Sequence, residues 1–167
     1  MTIAGGRAPS ALAKWGIITE DQRLAAEKYR GVYEWWRKTQ GMRNRHEAPA
    51  YYPVASTPDE AKTREESRKA AEWAAMTPEE QGAAQERDAL DAEIAWSKAC
   101  DVVARVKPIA LVRATLDMVC IEDVAPETWS LGIVAPVVVQ ALRTALDQLV
   151  KHFKIGERDR ERRAAVA

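Results

Sequence analysis

The chain has few of the residues that build sheets. Glycine and proline number eight each in 167 residues, and runs of β-branched or aromatic residues bounded by turns are nearly absent. An ordinary domain would devote about a fifth of its residues to strands; this one should devote almost none. Cysteine is equally sparse. Cys100 and Cys120 both fall inside apolar helical patterns, where they read as small buried hydrophobes of a reducing compartment, and two thiols are too few for a disulfide framework. With His46 and His152 they make four soft ligands, none at metal-site spacing. The longest apolar run lies near Val137–Val139, far short of the roughly 20 residues that span a bilayer. Met1 to Ser10 lack the apolar stretch of a signal peptide, so the expected location is the cytoplasm, with no membrane partner.

Catalytic constellations are missing too. There is no phosphate-cradling glycine loop, nucleophile elbow or metal-binding helix motif. Glu65, Glu66, Asp88 and Asp91 fall on polar helix faces, where carboxylates are ordinarily solvated. The sequence therefore points away from an enzyme and implies no catalytic residue, metal or cofactor.

What remains is alanine-rich apolar content, 47% of the chain, and balanced charge, 25 basic against 25 acidic groups. Alanine in quantity implies helices that approach closely. The charge is unevenly spread: residues 1–50 hold nine basic and five acidic groups, residues 51–100 hold six and eleven, and residues 101–167 hold ten and nine. A neutral total argues against simple coating of nucleic acid, whose affinity comes from neutralising phosphates. The acidic middle would oppose nonspecific binding or meet a basic partner.

Helix punctuation is strong. Residues 1–18, with Gly5-Gly6 and Pro9, read as a flexible arm. Thr19 and Gln22 form a reciprocal capping pair, starting a helix that should run to about Gln40 and stop at Gly41. Ala25, Tyr29, Val32 and Trp36 make its inner stripe, with Arg23, Glu27, Arg30, Glu34 and Arg37 opposite. Residues 42–56 lose the period and read as a loop. Thr57-Pro58-Asp59-Glu60 and Thr77-Pro78-Glu79-Glu80 repeat one start signal: a threonine cap, proline at the first helical position and glutamate at the third. They predict a mostly polar helix over 58–75 and a long central one from 78 to about Val106. The latter carries Ala92, Trp96, Ala99, Val103 and Val106 on one stripe, with Leu90 and Ile94 on another face for a second neighbour. A buried helix from Pro108 to about Ile121, a short turn near Pro126–Trp129 and an amphipathic helix from about Pro136 to Phe153 follow. Gly156 should end the last helix, and residues 157–167 read as a charged, flexible tail. The whole is an all-α bundle of about five helices, divided as arm (1–18), first helix with basic and aromatic loop (19–56), bundle (57–156) and tail.

Residues 108–155 have the outline of a helix-turn-helix. Leu116-Asp117-Met118-Val119-Cys120, then Ala125-Pro126-Glu127-Thr128-Trp129, then Ala141 to Leu149 with His152-Phe153 resemble a group of proteobacterial and phage proteins. The C-terminal domain of that group looks like the DNA-binding domain of sigma factors. Its N-terminal Tyr-Arg-x-x-Tyr element would here be Tyr29-Arg30-Gly31-Val32-Tyr33. The resemblance covers about a third of the chain and implies a regulator of phage or bacterial transcription that binds duplex DNA. A reading helix should present polar or basic groups at its start. This one begins Pro136-Val137-Val138-Val139-Gln140, so an ordinary antiparallel hairpin fits the same pattern. Gln140, Arg143 and Thr144 are the DNA contacts it offers.

A second nucleic-acid candidate is the basic segment Arg37, Lys38, Arg43, Arg45 and His46, flanked by Trp35-Trp36 and Tyr51-Tyr52. A solvated loop gives the same composition, and a protein interface favours the same residue types. Of six tryptophans, Trp36 and Trp96 fit core stripes. Trp15, Trp35, Trp73 and Trp129 are the candidates for partner binding, within a homodimer or against another protein. Two further functions thus stand beside the regulator. One is a phage-type inhibitor or adaptor that presents its tryptophans and acidic middle to a protein and binds no nucleic acid. The other is a recognition subunit for phage DNA packaging.

Overall fold

The computed structural model describes residues 7–43 and 60–157. Every regular element among them is helical, and no strand occurs among the described residues. In chain order the helices are α1 (Ala8–Lys14), α2 (Glu20–Arg43), α3 (Glu60–Ala75), α4 (Pro78–Ala104), α5 (Ile109–Leu116), α6 (Glu127–Ser130) and α7 (Pro136–His152). A π-helical turn, Asp117–Ile121, continues α5. No helix among the described residues is long and apolar enough to cross a membrane.

The chain divides into two compact units. One comprises residues 1–34 and 94–167, the other residues 35–93.

The first unit holds the larger core. α7 turns Leu142, Ala145, Leu146 and Leu149 inward, and α5 with its π-helical turn contributes Val112, Leu116, Val119 and Cys120. α5 packs chiefly on α7. Ala25 and Tyr29 of α2 are fully buried, and the Trp96 ring lies 5.2 Å from both Tyr29 and Tyr33. Each fully buried leucine contributes roughly 1.5–3 kcal/mol through removal of its side chain from water.

Among the described residues, Ala8–Ile18 already pack into the core ahead of Thr19. Pro9 sits in the first turn of α1, Leu12 is fully buried, and Ile17 and Ile18 join the core. The N–H of Gly16 donates to the carbonyl of Ala13, and that of Ile17 to Leu12. With Gly16 at φ 72°, this is the left-handed helix stop that glycine adopts without steric cost. Asp123 anchors the start of α1: its carboxylate accepts from the Ala8 N–H at 2.6 Å and pairs with Arg30 at 2.9 Å.

The Thr19–Gln22 capping pair is present. The Thr19 N–H donates to Gln22 Oε1 at 2.9 Å, and the Gln22 N–H to Thr19 Oγ1 at 3.3 Å. Gln22 is nonetheless buried, and its Nε2 also donates to Asp147 of α7 at 2.7 Å. One side chain therefore closes the helix start and ties it to a neighbour. Arg23–Glu27 and Arg30–Glu34 pair along the outer face of α2 as the spacing implied; exposed pairs of this kind add only about 0.3–0.5 kcal/mol each. α2 runs through Gly41 to Arg43, since a helical glycine costs only about 1 kcal/mol.

In the second unit, Thr77 and Glu80 cap α4 reciprocally at 2.8 and 3.3 Å. The hydrogen bonds from Thr77 hold the Glu80 carboxyl below its ordinary range. Gln81 Nε2 donates to the Trp73 carbonyl at 2.9 Å, clamping the corner between α3 and α4. The matching start signal at Thr57–Asp59 lies outside the described residues. Leu90 and, in the first unit, Ile94 are exposed, so this face of α4 has no second neighbour within its unit. Gly156 does not end α7: Lys154, at φ 53°, takes the left-handed position, and the N–H of Ile155 donates to the Val150 carbonyl.

Candidate interaction surfaces

Three helices end in the same backbone motif. After α1, α6 and α7 the chain turns through a left-handed residue, Gly16, Gly132 or Lys154, and the following residue is an isoleucine. In each case that isoleucine's N–H bonds back across the last turn: Ile17 to Leu12, Ile133 to Thr128 and Ile155 to Val150. An apolar residue at this position ordinarily packs back on its helix. Ile17 and Ile155 do, at 9% and 7% exposure. Ile133 does not; it is 66% exposed.

Its neighbours in the chain share this state. Leu131 is 74% exposed, Val137 57% and Val124 45%. These four aliphatic residues sit in the loop before α6, the corner between α6 and α7, and the first turn of α7. Between Arg113 and Arg143 the chain has no lysine or arginine, whereas Asp117, Glu122, Asp123 and Glu127 all lie there. The stretch that builds the corner is thus apolar and acidic in sequence, with Asp123 paired to Arg30. Behind the corner, burial raises the Asp117 carboxyl and pushes the Cys120 thiol up to about 12.

The DNA contacts expected from α7 have defined partners. Arg143 Nε donates to the Ile17 carbonyl at 2.7 Å, fastening α7 to the turn after α1. Thr144 Oγ1 donates to the Gln140 carbonyl at 2.8 Å, and Gln140, exposed, reaches back to Thr144 at 3.3 Å. In the Tyr-Arg-x-x-Tyr element, Tyr29 and Tyr33 flank Trp96 while Arg30 pairs with Asp123 and Glu34.

The second surface lies wholly within the unit of residues 35–93. Trp35, Lys38 and Thr39 of α2, Trp73 of α3, and Ala84, Gln85 and Asp88 of α4 line a mainly apolar pocket of about 150 Å³. Lys38 and Thr39 fall three and four residues after Trp35, so one helix face carries all three. The Trp35 indole N–H donates to Asp88 Oδ1 at 3.1 Å, fixing the ring. Thr39 is buried, and its hydroxyl donates to the Trp36 carbonyl. Lys38 has no ion-pair partner among the described residues.

Of the expected basic segment, Arg37 and Lys38 are exposed on α2. Arg43 is described only as helical backbone, and Arg45 and His46 lie outside the described residues. The tryptophans separate into three groups. Trp35 and Trp73, 38 positions apart, meet at one pocket; Trp15 is half-buried against the core. Trp129 is a correction: it has an interior home, 8% exposed within the core cluster, because the single turn of α6 points it inward. The residues that sequence reasoning missed are Val124, Leu131, Ile133 and Val137 at the corner, and Thr39, Ala84, Gln85 and Asp88 at the pocket. A turn glycine followed by isoleucine was the available signal for the corner. No group of three or more metal-ligating side chains occurs among the described residues.

No protein-family model, curated protein or solved structure matches this chain.

Proposed function

We propose that this protein is a protein-interaction module, an adaptor or inhibitor that docks its partner on the corner between α6 and α7. The observation that carries the reading is the exposure of Val124, Leu131, Ile133 and Val137 within one short stretch. Monomeric proteins seldom leave several aliphatic side chains uncovered together, and where they do the surface commonly serves association. A duplex-docking corner asks for different chemistry. Phosphates need cations, and base edges need amides or guanidinium groups. The stretch from Arg113 to Arg143 supplies no cation between its ends, and Arg143 is engaged with Ile17.

Affinity capture from the native cell tests this with a paired variant. The wild-type chain should retain a partner that Leu131→Asp/Ile133→Asp loses, while both unfold at the same urea concentration. Equal retention by the variant would remove the corner from the account. Sedimentation of the purified chain reads the alternative that the occupant is a second copy.

The exposed pair Arg37 and Lys38 supports a second reading, a DNA-associated regulator that meets phosphates through α2. A labelled random duplex, titrated at low and then moderate salt, separates the two. Salt-sensitive binding that falls when Arg37, Lys38, Arg43 and Arg45 become alanine would favour DNA; no binding at low salt would favour the protein partner.

A further inference from the structure

We propose that the pocket formed by Trp35, Trp73 and Asp88 takes an arginine side chain of a protein partner. The proposal rests on the protein-partner reading only for what carries the arginine; the pocket shares no residue with the α6–α7 corner.

Three ligand chemistries compete for a cleft of this shape: an apolar group, an anion drawn to Lys38, and a cation. Two indoles in the wall suit an apolar body, and they also suit a cation, because the face of an indole is the best aromatic seat for positive charge. The hydrogen bond from Trp35 to Asp88 decides between the last two. It uses the polar N–H of the ring, so what Trp35 still offers a ligand is its carbon surface. It also places a carboxylate at the wall whose second oxygen, Oδ2, has no bond among the described residues. The wider charge agrees in sign. From Pro78 to Glu93, α4 carries Glu79, Glu80, Glu86, Asp88, Asp91 and Glu93 against Arg87 alone, so the helix that supplies Asp88 attracts cations.

Lys38 opposes this, but weakly. Its ammonium stands on an exposed, flexible four-carbon stem and can swing from the mouth. It would act as a filter that lowers affinity for compact cations. Arginine meets both requirements at once. A planar guanidinium stacks flat on an indole while its N–H fork donates to a carboxylate, whereas a lysine ammonium is a hydrated point charge that does one or the other.

The test titrates the full-length ¹⁵N-labelled chain with the peptide acetyl-Gly-Arg-Gly-amide. The control peptide carries citrulline, the uncharged isostere of arginine, at the centre. The readout is the indole N–H signals of Trp35 and Trp73, identified with Trp35→Phe and Trp73→Phe. The arginine peptide should move both signals and bind about tenfold tighter than the citrulline peptide, the ratio set by one cation–π contact with a charged hydrogen bond. Asp88→Asn, which keeps an acceptor for Trp35, should erase most of that ratio. Lys38→Met should strengthen arginine binding about two- to threefold, as removal of one exposed like charge does. Equal binding of the two peptides would overturn the proposal, as would weaker binding in Lys38→Met or no movement of either indole. The double variant Leu131→Asp/Ile133→Asp should respond to the arginine peptide as wild type does. A lost peptide response with partner capture intact therefore sinks the pocket alone, and the converse sinks the corner alone.

Discussion

Replacing Ile17, Ile133 and Ile155 by alanine, one at a time, sets three chemically identical truncations at three equivalent backbone positions. Each isoleucine follows a left-handed helix stop and donates its N–H across the last turn. Only their covering differs. The truncation removes three carbons, worth about 0.8 kcal/mol each when fully buried. At 9% and 7% exposure, Ile17 and Ile155 should each lose about 2 kcal/mol from transfer. The cavity left behind brings the total to about 2–4 kcal/mol. Ile133, 66% exposed, keeps only a third of the transfer term, about 0.7 kcal/mol or less. With a urea dependence of about 2 kcal/mol per molar, the unfolding midpoint should fall by roughly 1–2 M for Ile17→Ala and Ile155→Ala. For Ile133→Ala it should fall by no more than about 0.4 M on the same slope. Equilibrium urea unfolding followed by circular dichroism measures all three. An Ile133→Ala midpoint as low as that of Ile17→Ala would refute the reasoning, because it would mean that the chain already covers the corner in solution.

Two further outcomes follow from buried titratable groups in the same unit. Burial raises the Asp117 carboxyl, so its ionised form opposes folding above its folded-state pKa, and the penalty disappears once both states are protonated. Asp117→Asn should therefore raise the urea midpoint at neutral pH, with the gain shrinking through the carboxylate range and absent near pH 3; a gain that grows on acidification would contradict this. Burial also pushes the Cys120 thiol up to about 12 and raises that of Cys100. A thiol reagent at pH 8 should leave Cys120 unlabelled in the native protein and react fully in urea, since the thiolate is the reactive species; rapid native labelling of both thiols would show the core to be open.

Local grammar carried most of the fold. The Thr19–Gln22 and Thr77–Glu80 boxes were legible because both partners lie within four residues and act on the backbone beside them. The stripe of α7 was legible because seventeen residues give a clear period. α1 was hidden because seven residues make barely two turns, too few for a pattern, although Pro9 and Gly16 marked its ends. Trp129 went astray for the same reason: a four-residue helix has no periodicity to say which way its ring points. The two surfaces lay further beyond reach. Which of Ile17, Ile133 and Ile155 is covered depends on what the rest of the chain places over each. The meeting of Trp35 with Trp73 depends on how α3 folds back on α4, where Gln81 clamps the corner.

The most direct measurement of the central claim is site-specific photo-crosslinking with a benzophenone amino acid at position 131, beside one at exposed Lys154 as control, in native-cell extract. The account predicts that position 131 yields one discrete adduct with another protein, that Lys154 does not, and that Ile133→Asp abolishes it. Adducts of equal yield from both positions, or a product at 131 indifferent to Ile133→Asp, would contradict the corner as the docking surface.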